Sequence, residues 1–184
     1  DSGDMILQEK TEIGENETTG ELWDRLSGIG AKLLVETLKQ IEAGTAPRIK
    51  QGEEFTIAPM LEKEMSKINW RDKSAKEIKN LVRGLNPIMG AYSFLNDKKI
   101  KFWKVQVLTE NELLEKFEDL KEYKGHLKGV QEGTVLFSDD KNGLFIKAKE
   151  GILQVLEIQG ENSKRMLTTD FLRGTKIDVG SIFE

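Results

Sequence analysis

Apolar residues recur along this chain at two different periods, and the change of period divides it. Between residues 18 and 44, Leu22, Leu26, Ile29, Leu33, Leu34, Leu38 and Ile41 return every three to four positions, which predicts one long amphipathic helix ending at Gly44. Thr18 and Glu21 have the T-x-x-E spacing of a capping box at its start. Ahead of it, residues 5–12 alternate weakly and predict a short strand, followed by a turn at Gly14-Glu15-Asn16. Residues 45–67 hold Pro47, Gly52 and Pro59 with little periodicity, so an extended linker and a domain boundary are expected there.

Beyond Trp70 a second capping box, Ser74 with Glu77, opens a helix carrying Ile78, Leu81, Val82 and Leu85, which should stop between Gly84 and Pro87. From Ala91 the period falls to two. Tyr92 to Leu95, a turn at Asn96-Asp97, and Ile100 to Leu108 predict a β-hairpin with Trp103, Val105 and Val107 on one face, which favours core packing over base stacking for Trp103. A third box, Thr109 with Glu112, starts an acidic helix striped by Leu113, Phe117 and Leu120 and ending near Lys124-Gly125, an insertion between strands. Short strands follow at 133–137, 144–148 and 152–158, then a helical stub at 168–172 and a tail strand at 176–179. Strands at this spacing predict a small barrel, and the fold class is α+β.

Composition narrows the chemistry. The 184 residues are 38% hydrophobic and 33% charged, with no Cys and a single histidine, His126. Disulfides, thiolate nucleophiles, thiolate metal sites and multi-histidine metal sites are thereby excluded, and no metal is expected. No run approaches the roughly 20 apolar residues of a membrane span, and a signal peptide is not recognisable, so a cytoplasmic protein without a membrane partner is expected. His126 has no evident partner and reads as a surface residue. Asn16-Glu17-Thr18 fits a glycosylation sequon, but capping accounts better for Thr18. Asp139-Asp140 reads as part of a Gly143-closed turn rather than a metal site.

The net charge of −4 hides a gradient. Residues 1–44 carry four basic side chains against ten acidic, whereas residues 62–104 carry eleven basic against five acidic. The basic segment reads either as a solvated face or as a phosphate-facing surface. Lys98, Lys99, Lys101 and Lys104 crowd one hairpin, and small barrels commonly bind nucleic acid.

Several segments in order resemble the methionyl-tRNA formyltransferase family: Asp1-Ser-Gly-Asp4-Met5-Ile6, Thr19-Gly-Glu-Leu-Trp-Asp-Arg-Leu26, Ala58-Pro59-Met-Leu-Glu-Lys63, Lys67-Ile68-Asn69-Trp70, Arg83-Gly-Leu-Asn-Pro87 with Gly90-Ala91-Tyr92, Lys101-Phe-Trp-Lys104, Gly133-Thr-Val135, Lys164-Arg165-Met166 and Asp170-Phe-Leu-Arg-Gly174. The match spans nearly the whole chain, with residues 109–130 an unusually long insertion. The resemblance implies the last strand and helix of a Rossmann-like formyltransferase domain (1–44), a linker (45–67) and an OB-like tRNA-binding barrel (68–184). It implies formyl transfer from 10-formyltetrahydrofolate to the α-amine of methionyl initiator tRNA, an enzyme of translation initiation expected to be monomeric when full length. Asp1 matches the catalytic Asp of the family's D-[ST]-G-D loop, where it would orient groups or relay protons. The family's catalytic Asn and His would precede residue 1, as would most of the folate site, so this piece alone should be inactive. Lys63 and Lys67 match positions on the tRNA side. Lys98, Lys99, Lys101, Lys104, Lys164, Arg165 and Arg173 are further tRNA candidates by charge and placement. Arg83 and Trp70 read as structural. Two alternatives stay open: another folate-dependent formyltransferase, such as one acting on an amino sugar, and a non-catalytic RNA-binding barrel.

Overall fold

The computed structural model describes residues 3–117 and 127–184, Lys128 by its backbone alone, and the chain divides into two units, Asp1–Leu61 and Glu62–Glu184. In the first unit, α1 (Thr19–Glu42) begins at the anticipated capping box, with Thr18 accepting from the Glu21 N–H and Glu21 reaching back. No side chain of α1 is buried, and Trp23, Leu34 and Val35 are each more than half exposed. Arg25 ties the preceding segment to the helix through Glu17 at 2.8 Å, the Glu12 carbonyl at 2.7 Å, and Thr11.

The strand expected over 5–12 is not formed. The backbone pairs there only at Met5, which exchanges two 2.8 Å hydrogen bonds with Ile49. Alternation can specify a strand only where an edge exists to receive it, and this unit supplies an edge one residue long.

In the second unit, α2 (Ala75–Gly84) packs against an antiparallel sheet of β1 (Ala91–Leu95), β2 (Lys98–Leu108), β3 (Val135–Asp139), β4 (Gly143–Lys147), β5 (Ile152–Gln159) and β6 (Met166–Leu167). The strand order is β1-β2-β5-β4-β3, with β6 also paired to β5. Asn96 and Asp97 both adopt positive φ, as a tight two-residue hairpin requires. The helix α3 (Glu110–Lys116) has its predicted box and ends at Phe117, while Leu120, Lys124-Gly125 and His126 lie outside the described residues. The last helix, α4, spans Thr168–Gly174.

The strand ladder is not closed, which corrects the simple barrel expected. The edges β1 and β3 are instead bridged by the C-terminal tail. Phe183 and Ser181 bond to Gly133 and Val135 at 2.9 and 2.8 Å on one side, and Glu184 exchanges bonds of 2.9 and 3.0 Å with Phe94 on the other. The strand expected at 176–179 is absent. Ile177 enters the core there and Gly180 turns the chain with φ +85°, so pairing begins only after residue 179.

Trp70 sits at the centre of this closure. It is 3% exposed, its Nε1 donates to Ser93 Oγ at 2.9 Å, and Ser93 Oγ donates to the Glu184 carbonyl at 2.7 Å. Its rings meet Phe102 at 5.9 Å and Phe183 at 6.1 Å. A second cluster around Leu113, Phe117 and Phe145 anchors α3, with Phe117 stacked on Phe137 at 4.7 Å.

The hairpin departs from the expected alternation at one point. Phe102 pairs with Ile158 and Lys104 with Glu157, so the register shifts around Trp103 and that residue is the extra one of a β-bulge. Phe102 and Val105 consequently face the main core. Trp103 is buried outside it, against Gly90 and beneath Lys101 and Arg165.

The capping box of α2 has a pH signature. Lys73, and then the backbone and hydroxyl of Ser74, hydrogen-bond Glu77 and hold its carboxyl down at about 2, against 4.5 ordinarily. A carboxylate depressed on folding stabilises above its unfolded pKa and loses that contribution as pH falls toward the folded one. Glu77→Ala is therefore expected to lower the melting temperature at pH 7, and the gap to the parent chain should narrow between pH 4.5 and 2 in a series of thermal melts.

Candidate nucleic-acid interface

The strand β1 turns its smaller side chains Ala91 and Ser93, with Leu95, inward. Ser93 is fully buried, satisfied by Trp70 and Glu184, so the large residues Tyr92 and Phe94 on either side of it point the other way. They meet edge to face at 5.7 Å and stay half-buried. Register then fixes their neighbours: Tyr92 lies opposite Lys101 and Phe94 opposite Lys99 on β2.

Three predicted lysines are gathered on this face. Lys99 Nζ stands 3.6 Å from the Tyr92 ring centroid and Lys67 Nζ 5.7 Å from that of Phe94, while Lys101 donates to the Met89 carbonyl at 3.0 Å. Lys67 is placed by the bond from the Ile68 N–H to the Tyr92 carbonyl at 2.8 Å, which lays the chain after the 3-10 turn Lys63–Ser66 alongside β1. Lys63 is exposed at the start of that turn, and Lys98 is exposed beside the hairpin turn. Ring faces carry negative potential, so they hold ammonium groups in place without neutralising them. The result is an ordered set of cations on an aromatic floor, suited to the phosphates and bases of a single-stranded or looped RNA.

The remaining candidates lie elsewhere. Lys104 is exposed farther along β2, past the bulge. Lys164 is exposed before β6, and Arg173 pairs with Asp170 at 2.8 Å on α4. Arg165 is bound into the fold: it pairs with Glu157 at 2.5 Å, donates to Asn86 Oδ1 at 3.2 Å and covers Trp103 at 5.1 Å, while Asn86 holds the Trp103 carbonyl at 2.9 Å. Arg165→Ala is expected to cost about 1–2 kcal/mol of stability in urea unfolding. Asp1 lies outside the described residues. Arg83, on α2, is half-buried with its Nε donating to Asn80 at 2.8 Å. Tyr92 and Phe94 were not among the sequence candidates, although two large aromatics flanking a small polar residue signal a strand with its polar position inward.

A family model described as "Formyl transferase, C-terminal domain" matches residues 60–176. The chain is 40% identical, over its full length, to 54% of the methionyl-tRNA formyltransferase of Carboxydothermus hydrogenoformans. It is 38% identical, over 99% of its length, to 53% of the enzyme of that name from Clostridioides difficile. The chain thus spans about half the length of the curated relatives it matches. Among solved structures, a HypX variant from Aquifex aeolicus aligns over 97% of this chain and 30% of its own, at TM-score 0.65 and 18% identity. HypX in complex with tetrahydrofolic acid aligns over 81% of this chain and 26% of its own, at TM-score 0.53 and 19% identity. At such identity these two share a fold with this chain.

Proposed function

We propose, from the premise that this chain belongs to the formyl transferases through their C-terminal domain, that it is the C-terminal half of a methionyl-tRNA formyltransferase. The whole enzyme moves a formyl group from 10-formyltetrahydrofolate to the α-amine of methionyl initiator tRNA. Two relatives of that name at 40% and 38% identity support the reading, and the tetrahydrofolic acid held by HypX is consistent with a folate co-substrate. In this account residues 1–44 are the end of a Rossmann-like formyltransferase domain, 45–67 its linker, and 68–184 an OB-like barrel that the tail completes. The apolar stripe of α1, which has no buried residue, is the face that the rest of the formyltransferase domain covers. Asp1 orients the reacting groups or relays a proton.

The observation that carries the proposal is the convergence of Lys67, Lys99 and Lys101 on the Tyr92–Phe94 face, with Lys63 leading into it. Holding the tRNA is this chain's own contribution: the lysines take backbone phosphates and thereby fix where the aminoacylated end lies. Lys98, Lys104 and Lys164 extend the positive field, and Arg165 and Arg173 add to it behind their carboxylate partners.

The test is a salt titration of initiator-tRNA binding, with elongator tRNA as competitor. Lys63→Ala/Lys67→Ala/Lys99→Ala should weaken binding about tenfold or more near ~0.1 M salt and reduce the slope of log affinity against log salt by about 3. Binding that ignores salt, or a triple variant with unchanged affinity and slope, overturns the proposal.

A further inference from the structure

A second cationic recess lies past the bulge of β2. A cleft of about 430 Å³ is lined by Lys104 from β2, Lys116 from α3, Lys141 and Asn142 from the β3–β4 turn, Gln154 from β5 and Thr168 from α4. Three lysines from three elements distant in sequence thus line one cleft. Glu157 is the single carboxylate among the described lining residues, and Arg165 already engages it at 2.5 Å.

Two features show that the recess is organised. Gln154 is 7% exposed and accepts from Lys116 Nζ at 3.4 Å while donating to the Asn142 carbonyl at 3.3 Å. Lys116 is further steadied over Phe117 and Phe145 at 5.9 and 5.8 Å. The turn is itself fixed by Asp139. Burial pushes its carboxyl up, but hydrogen bonds from Asn142 and from the Lys141 and Gly143 N–H groups outweigh that and leave it below its usual range. Secondly, Thr168 is 1% exposed, and its Oγ1 is the one buried side-chain polar atom among the described residues with no partner. Thr168 is also one of the residues lining the cleft, and buried polar groups are ordinarily hydrogen-bonded.

We propose that this recess is a phosphate-binding site, in which Lys104, Lys116 and Lys141 neutralise the anion and Thr168 supplies a hydroxyl donor. The assignment of the phosphate to the RNA backbone rests on the proposed function. It gives the RNA a second point of attachment, separated along β2 from the Tyr92–Phe94 face, so that two anchors rather than one set its orientation. The recess itself requires only a phosphate group.

The experiment follows the amide and side-chain signals of Thr168 and Gln154 during titration with pyrophosphate, at constant ionic strength, and separately with initiator tRNA. Both ligands should shift these signals saturably, and Lys116→Gln/Lys141→Gln should weaken each interaction by about tenfold while the circular dichroism spectrum is retained. Absence of a saturable shift with pyrophosphate, or a shift that survives the double substitution unchanged, overturns the site. Pyrophosphate binding together with undiminished tRNA affinity in the double variant overturns the RNA assignment and identifies the ligand as a free phosphate compound. Loss of all tRNA binding by the parent chain fails the proposed function, and the pyrophosphate arm still decides the recess.

Discussion

Trp70→Ala is expected to cost about 3–5 kcal/mol, the largest effect of any single side-chain truncation in the second unit. The indole is 3% exposed and packs against both Phe102 and Phe183, which themselves meet at 5.5 Å, so its removal leaves a void beside that pair which neither ring can fill without giving up the other. It also removes the donor that positions Ser93, whose hydroxyl reaches the Glu184 carbonyl. The defect therefore spreads to the tail that spans the sheet edges. Urea unfolding followed by far-ultraviolet circular dichroism should show the midpoint falling sharply. Trp70→Phe, which keeps an aromatic ring but not the Nε1 donor, should fall in between, and equal midpoints for the two variants would mean that the ring itself contributes little.

The second large effect is expected at Gly133. Its φ of +85° is costly for any residue with a Cβ, and that Cβ would be forced into the Phe183 carbonyl. The two penalties act on one hydrogen-bonded contact, the 2.9 Å bond from Phe183 N–H to the Gly133 carbonyl. Gly133→Ala is expected to cost about 3 kcal/mol or more and to free the tail. Hydrogen exchange should show this as lost protection at Phe183 and Glu184, whereas α2 amides keep theirs until global unfolding. Gly180→Ala has the same unfavourable sign of φ, at +85°, but nothing within 4 Å of the new methyl, so it should cost clearly less.

Local signals account for the parts of this fold that the sequence made legible. All three capping boxes form, at Thr18, Ser74 and Thr109, because each needs only residues three apart. The hairpin turn at Asn96-Asp97 is equally local, since both residues tolerate positive φ. What depended on partners was not legible. The bulge at Trp103 depends on how β2 registers against β5, and strict alternation assigned Trp103 to the face of Val105 when it lies on neither core cluster. Residues 5–12 alternate as a strand but find one pairing position. The tail closes the gap through backbone groups, which leave no side-chain pattern to read.

The site divides in the same way. Charge density along the chain located the basic segment, but it could not say which lysines share a surface. Lys67, Lys99 and Lys101 converge because Lys67 enters beside Tyr92 and the hairpin register places the other two opposite Tyr92 and Phe94. Lys104, three residues from Lys101, is carried past the bulge to a recess whose other lysines, Lys116 and Lys141, come from segments with no basic clustering of their own. Arg165 looked like one more cation in the sequence, yet its guanidinium is occupied by Glu157 and Asn86.

The central claim is that the Tyr92–Phe94 face is where RNA is held, and lysine footprinting tests it most directly. The chain is acylated with and without saturating initiator tRNA at low salt, and protection is read at each lysine by mass spectrometry. Lys63, Lys67, Lys98, Lys99 and Lys101 should be protected, while Lys32 and Lys39 on α1 react as in the free chain. Full reactivity of Lys67 and Lys99 in a saturated complex, with protection confined to other lysines, would contradict the account.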